Sequence, residues 1–247
     1  MFPILNIGPL SVAAPGLILL LGTWIGLTLA ERLAPRFNVE SKTLSDIIFV
    51  ALVAGIIGAR LSYAAQSIQA FLENPLSLVS LTPGMFDPLG GFVIAAAAAF
   101  FYGKRKKLPL GPTLDALTPF LAVLVIALGF SHLSSGDAFG TPTDLPWGIF
   151  LWKAQRHPTQ IYEILAGIMS LGFVWPQAGK SSKGEGRTFA AFTAFNAGAQ
   201  LFIHGFRGDS TIIANGFRLE QVIALVILGI SLWWLGRFNK DAETQDG

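Results

Sequence analysis

Apolar residues in this chain run in long blocks, neither alternating as in strands nor confined to one stripe as on a surface helix. Seven blocks stand out: Val12 to Ala30, Leu44 to Ala65, Leu89 to Tyr102, Leu114 to Leu133, Gln160 to Trp175, Thr188 to Phe206 and Leu219 to Leu235. A helix crossing hydrocarbon needs about 20 largely apolar residues, fewer where its ends are buried in protein. The third block is the shortest case, and its Ala95 to Ala99 run is small rather than strongly apolar. Two connections are long. Gln66 to Pro88 lacks Lys and Arg and contains a Leu- and Pro-rich stretch, Asn74 to Phe86, suited to lying in the interface or re-entering. Ser134 to Thr159 holds Gly136, Gly140, Pro142, Pro146 and Pro158, which favour turns over helix. Gly179 to Arg187 and Asp241 to Gly247 read as solvated linker and tail. The pattern predicts an all-α polytopic membrane bundle of seven transmembrane helices. It forms a single integral membrane domain over residues 1–240, with a short cytoplasmic tail at 241–247.

Charge then orients the blocks. Of the 17 Lys and Arg, twelve fall on one side if all seven blocks span: Arg32, Arg36, Lys42, Lys104, Arg105, Lys106, Lys107, Lys180, Lys183, Arg187, Arg237 and Lys240. Lys153, Arg156, Arg207 and Arg218 fall on the other, and Arg60 lies within the second block. Basic loops stay in the cytoplasm, so the N-terminus is expected outside and the C-terminus inside. Deleting the third block would move Lys104 to Lys107 outside, which argues for keeping it. The start, Met1 to Ala14, has no basic region followed by a small-residue cleavage site, so the first block is not read as a removable signal. With 52% hydrophobic and 13% charged residues, a water-facing globule is a poor fit. The net charge of +2 is dispersed, which excludes a nucleic-acid surface. The chain has no cysteine, so thiolate chemistry of its own, disulfides and Cys metal sites are excluded. Neither a Gly-rich phosphate loop, a metal-ligand spacing nor a Gly-x-Ser-x-Gly elbow is visible, and no metal or cofactor is expected.

Polar side chains at the mouths of such blocks are costly to desolvate and tend to pair or to line a watery cavity. Arg156 to Glu163, Arg-His-Pro-Thr-Gln-Ile-Tyr-Glu, is the densest group. A helix starting after Pro158 puts Gln160 and Glu163 on one face. Thr159 as a capping residue would account for part of the cluster, but not for His157, Gln160 and Tyr162 together. His132 and Asp137 sit where the fourth block ends, and a histidine beside a carboxylate in a partly dry site can exchange a proton near neutral pH. Thr141 to Trp147 reads as a stiff turn with an interfacial tryptophan. Arg60 follows Gly58-Ala59, small residues that let another helix approach and hide the guanidinium; a snorkelling arginine is the plain alternative. His204 to Asp209 closes the sixth block, with an Arg207–Asp209 contact expected, and Glu220 reads as a carboxylate at a helix start.

These residues resemble the prolipoprotein diacylglyceryl transferase family over most of the chain. The likeness is carried by Gly58-Ala59-Arg60 with Tyr63, Gly90-Gly91, Asp115, Gly136-Asp137 with Gly140, Pro142 to Trp147, and above all His157 to Glu163. It implies transfer of the diacylglyceryl group from phosphatidylglycerol to the lipobox cysteine thiol in the signal peptide of a prolipoprotein, releasing glycerol phosphate, in the inner membrane. Its partners are these two substrates and the surrounding membrane lipids. The nucleophilic sulfur belongs to the substrate, in keeping with a chain that has none. The chemistry needs cations for the phosphate and a base for the thiol proton. Arg60 and Arg207 are the expected cations, and His132 or His157 the base. Asp137, Gln160, Tyr162 and Glu163 would position the headgroup and orient the base, with His204 beside them. Four positions depart from the family pattern: Leu89 before Gly90, Gly129-Phe130, Gln200, and Pro15 in the first block. His132, His204 and Arg207 would then take over the missing roles. The alternative is a non-catalytic relative that binds phospholipid or a lipidated partner.

Overall fold

Proline in a helix's first turn costs no hydrogen bond, and Pro15 opens α1 (Ala14–Leu33) in this way. The structure is a computed structural model describing residues 4–7, 10–74, 83–177, 186–213 and 216–243. An unforeseen antiparallel hairpin precedes α1, with β1 (Ile4–Ile7) pairing β2 (Leu10–Ala13) so that Ile4 faces Ala13. A 3-10 turn, Ala34–Phe37, ends at Asn38, whose left-handed φ of 58° reverses the chain into α2 (Ser41–Gln66). The short α3 (Ile68–Glu73) and a 3-10 turn, Pro83–Met85, lie in the long connection; the Leu- and Pro-rich stretch expected there falls largely outside the described residues.

Asp87 starts α4 (Pro88–Arg105). Its carboxylate accepts the amides of Leu89 and Gly90 at 3.1 and 3.2 Å and the Ser62 hydroxyl at 2.6 Å. The Ser62 bond, helped by the amides, holds the Asp87 carboxyl below its ordinary pKa. α4 lies on α2 through a seam of small residues, as Gly58-Ala59 foretold. A Cβ on Gly91 would stand 2.8 Å from the Ala59 Cβ, and one on Gly58 only 2.6 Å from the Ile94 Cβ.

α5 (Leu110–Ser135) is the central helix, packed against α1, α6 and α7. Gly22 and Gly26 let α1 approach Ala127 and Phe120, and Gly129 and Gly167 let α5 and α6 meet. Leu44 and Ile48 of α2 join Ala30, Ala116 and Phe120 in a core shared by α1, α2 and α5. Gly136, in the left-handed conformation at φ 84°, ends α5. A small hairpin follows, β3 (Ile149–Leu151) with β4 (Ala154–Arg156), and then α6 (Thr159–Gln177), α7 (Arg187–Ile203) and α8 (Leu219–Glu243). α8 runs three residues past the tail boundary expected at 240. The expected linker at 179–187 lies almost wholly outside the described residues.

The buried Asp115 of α5 accepts the amides of Gly186 and Phe189 at 3.1 and 2.8 Å, so α7's first turn is capped by another helix. Among the described residues four helices are long and apolar enough to cross a membrane: Ala14–Phe37, Ser41–Gln66, Leu110–Ser135 and Leu219–Phe238. α4, α6 and α7, with 18, 19 and 17 residues, do not meet that standard. Large apolar side chains such as Phe49, Phe101 and Trp233 point outward, which suits lipid and not water. One end of the bundle gathers the starts of α2, α5 and α7 with the end of α4. The opposite end gathers the ends of α2, α5 and α7 with the starts of α4, α6 and α8.

Candidate active site

At that second end the loop after α5 is laced between two other segments. Gly208 N donates to Phe139 O at 2.8 Å and Thr141 N to Phe206 O at 2.7 Å; on its other side His157 N donates to Thr141 O at 3.1 Å and Thr143 N to Gln155 O at 3.0 Å. Bridges pair Gly140 with Arg207 and Pro142 with Arg156. Residues 140–143 thus act as a middle strand that sets Arg207 on one side and His157 on the other. Glycine is required at 140, since a Cβ there would lie 2.3 Å from the His157 carbonyl oxygen.

Glu163, on the second turn of α6 and 4% exposed, is the centre of a polar cluster. Its Oε2 lies 2.8 Å from His132 Nδ1, and its Oε1 accepts Arg207 Nη1 at 2.9 Å. With the carboxylate as acceptor, His132 Nδ1 is the donor of this contact, and its Nε2 is the ring nitrogen not engaged by Glu163. Arg207 is held from two sides, because Asp209 takes its Nε and Nη2 in a bidentate pair at 2.8 Å each. Burial works against the Arg207 charge, but the Asp209 hydrogen bonds and the Glu163 charge outweigh it and hold the pKa above the ordinary value. Burial likewise works against the Asp209 charge, and the Arg207 bonds reverse this and hold that carboxyl below its usual range. The expected Arg207–Asp209 contact is present, but the Arg207–Glu163 bond, which joins residues 44 apart, is what assembles the site.

Gln160, fully buried, donates Nε2 to the Asp137 carbonyl at 2.8 Å, which leaves its buried Oε1 without a partner among the described residues. The Asp137 carboxylate itself is on an exposed residue, so Asp137 enters the site through its backbone. Thr159, expected as a cap, instead gives its hydroxyl to the Ala138 carbonyl across the loop, because the first turn of α6 is buried against residues 137–138. His157 packs its ring 4.9 Å from that of Phe206 and places Nδ1 3.4 Å from the Tyr162 hydroxyl. Trp147 Nε1 donates to the same hydroxyl at 3.1 Å, so this tryptophan, expected at the interface and 58% exposed, also touches the aromatic residues beside His157. Arg156 turns away, bonding the Leu151 and Gly140 carbonyls. His204, just past α7, keeps a buried Nδ1 without a partner among the described residues, while Arg218 Nη1 bonds the His204 and Arg207 carbonyls and braces this turn.

Arg60 stands at the same end of the bundle on the α2–α4 wing. It is 6% exposed, hydrogen-bonded to the Met85 carbonyl at 2.7 Å and flanked by the Phe71 and Phe86 rings at 5.4 and 5.5 Å. It is therefore buried within the protein and does not snorkel. Sequence reasoning passed over Asp87, Phe206 and Arg218. Asp87-Pro88 is a readable helix start; Phe206 and Arg218 act through the tertiary arrangement of a turn and left no local signal.

A family model described as prolipoprotein diacylglyceryl transferase matches residues 3–236. The phosphatidylglycerol–prolipoprotein diacylglyceryl transferase of Synechococcus elongatus is 26% identical over 251 residues, covering 94% of this chain and 86% of the relative. The transferases of the same name from Trichormus variabilis and Finegoldia magna are 28% and 27% identical, covering 94% and 88% of this chain and 88% of each relative. A match over nearly the whole length, on a helical scaffold that buries Thr159, Gln160 and Glu163 in its polar end, means that this chain belongs to the prolipoprotein diacylglyceryl transferase family.

Proposed function

We propose that this chain transfers the diacylglyceryl group of phosphatidylglycerol to the cysteine thiol of a prolipoprotein lipobox, from within the bacterial inner membrane. The observation that carries the reading is Glu163, a buried carboxylate joining the imidazole of His132 to the guanidinium of Arg207. His132 Nε2 accepts the thiol proton. The sulfur attacks the glyceryl carbon that bears the phosphate; the S–C bond forms as the C–O bond breaks, and glycerol phosphate leaves with the electron pair on its oxygen. The Nε–Nη2 edge of Arg207 matches a phosphodiester as well as it matches a carboxylate, so the donor phosphate replaces Asp209 there. Arg60 supplies the second positive charge. The unpartnered Gln160 Oε1 and His204 Nδ1 receive headgroup hydroxyls, while His157 and Tyr162 wall the entrance and the Asp137 segment holds Gln160. In the proposed topology α4, α6 and α7 also span, their ends shielded by protein, which makes seven spans with the N-terminus outside, the C-terminus in the cytoplasm and the site facing the outer leaflet. The whole forms one membrane domain.

The occupied Arg207 edge favours a second reading, a relative that binds phospholipid or a lipidated partner without transfer. Reconstitution with phosphatidylglycerol and a lipobox peptide separates the two. A thioether-linked diacylglyceryl adduct by mass supports transfer, and its absence where a known family enzyme works sinks it.

A further inference from the structure

At the end of the bundle opposite Glu163, a cavity of about 580 Å³ opens between α2, α4 and α5. Its walls are aliphatic and aromatic, from Phe92 on the second turn of α4 and Leu124 in the middle of α5 to Leu108 and Leu110 at the mouth. Thr113 commits its hydroxyl to the Pro109 carbonyl, so Lys104 is the charged side chain of the lining. Along α5 the walls run from Leu110 to Leu124, roughly 20 Å at 1.5 Å per residue. Such a cavity suits a flexible hydrocarbon chain with an anionic head at the mouth.

The charge at the mouth is concentrated. Lys104 ends α4 together with Arg105, and Lys106 and Lys107 follow; all four are exposed, and among the described residues none takes part in an ion pair. Lys106 rests 5.7 Å from the centre of the Tyr102 ring, whose hydroxyl donates to Asp46 at 3.4 Å; Asp46 is the acidic group facing this end of α4. Lys107 has a left-handed φ of 56° at the turn after the helix, a position that favours glycine. Basic side chains beside a crevice between spanning helices form the usual setting for an acidic lipid headgroup.

We propose that this cavity is a second lipid site, which holds an acyl chain of an anionic phospholipid with its phosphate on the Lys104 to Lys107 cluster. The headgroup end of this site is distinct from the Glu163 cluster: Thr113 and His132 are separated along α5 by roughly 28 Å, while the inner end of the cavity at Leu124 lies roughly 12 Å along α5 from His132. On the orientation proposed above it draws on the cytoplasmic leaflet, while the reaction draws on the outer one.

The test is native mass spectrometry of the purified full chain titrated with phosphatidylserine or phosphatidylcholine bearing identical acyl chains. The wild type should retain one phosphatidylserine with a preference of roughly tenfold or more, which is what two or three basic side chains near a headgroup supply. Neutralising the cluster, K104Q with R105Q, K106Q and K107Q, should erase the preference. Ala99→Phe, which fills the cavity wall, should lower retention of both lipids. Equal retention of the two lipids by the wild type overturns the proposal without any variant, and so does full retention by Ala99→Phe. Transfer to the lipobox peptide, assayed in parallel, should persist in both variants, so a failure here is separable from a failure of the proposed reaction.

Discussion

At the scale of single residues, Glu163 binds two partners that the sequence separates widely, and removing its charge should show in both. Breaking a buried ion pair leaves its partner uncompensated and costs about 3–5 kcal/mol, and loss of an oriented base costs about 10²–10⁴ in rate. Glu163→Gln is therefore expected to lower kcat for adduct formation at least a hundredfold and to lower the melting temperature; near-normal turnover would remove Glu163 from the mechanism. Asp209 tests the other side of Arg207. Its folded pKa lies below the unfolded value of about 3.9, so its stabilising contribution is complete above that pH and is lost only as pH falls through the lowered folded value. The difference in melting temperature between the wild type and Asp209→Asn should stay constant from neutral pH down to about 4 and then shrink. A difference that collapses between pH 7 and 5 contradicts the clamp. If the donor phosphate displaces Asp209, the same variant should also bind phosphatidylglycerol more tightly, read as a lower KM.

At the scale of elements, the helices are joined where small residues let backbones meet and where one helix satisfies the end of another. Asp115 serves the second purpose. It is invisible as a cap in the sequence because the amides it accepts lie 71 and 74 residues away. Asp115→Ala should cost about 1–3 kcal/mol by orphaning buried amides, measured as a lower thermal midpoint in detergent, while Asp115→Asn, which can still accept through its amide oxygen, should recover part of the loss. A neutral effect of the alanine variant would show that α7 starts without help from α5. The Gly58-Ala59 seam was legible because small residues beside an arginine predict a close neighbour; that the neighbour is α4, through Gly91 and Ile94, was not.

At the scale of the whole molecule, the absence of native cysteine gives a clean test of topology. Lys153→Cys, in the β3–β4 turn, should react with a membrane-impermeant maleimide in intact spheroplasts, and Arg105→Cys should react only after lysis; equal labelling of both would refute seven spans with an outer N-terminus. The sequence by itself determined what depends on local composition. The long apolar blocks dictate helices, because a backbone in lipid must satisfy its own hydrogen bonds, and the polar residues from His157 to Glu163 marked where burial would be too costly to be idle. It also carried the likeness to the family that the comparisons show. The tertiary structure decided which polar groups meet. The loop at 140–143 brings Arg207 to Glu163 and His157 to Phe206, turns the Asp137 carbonyl and not its carboxylate toward Gln160, and redirects the Thr159 hydroxyl from a cap to Ala138. Hydrogen-bond partners far apart in the chain are selected by the packing of helices around α5, and that geometry is set by side-chain shape summed over the bundle, which no local stretch of residues encodes.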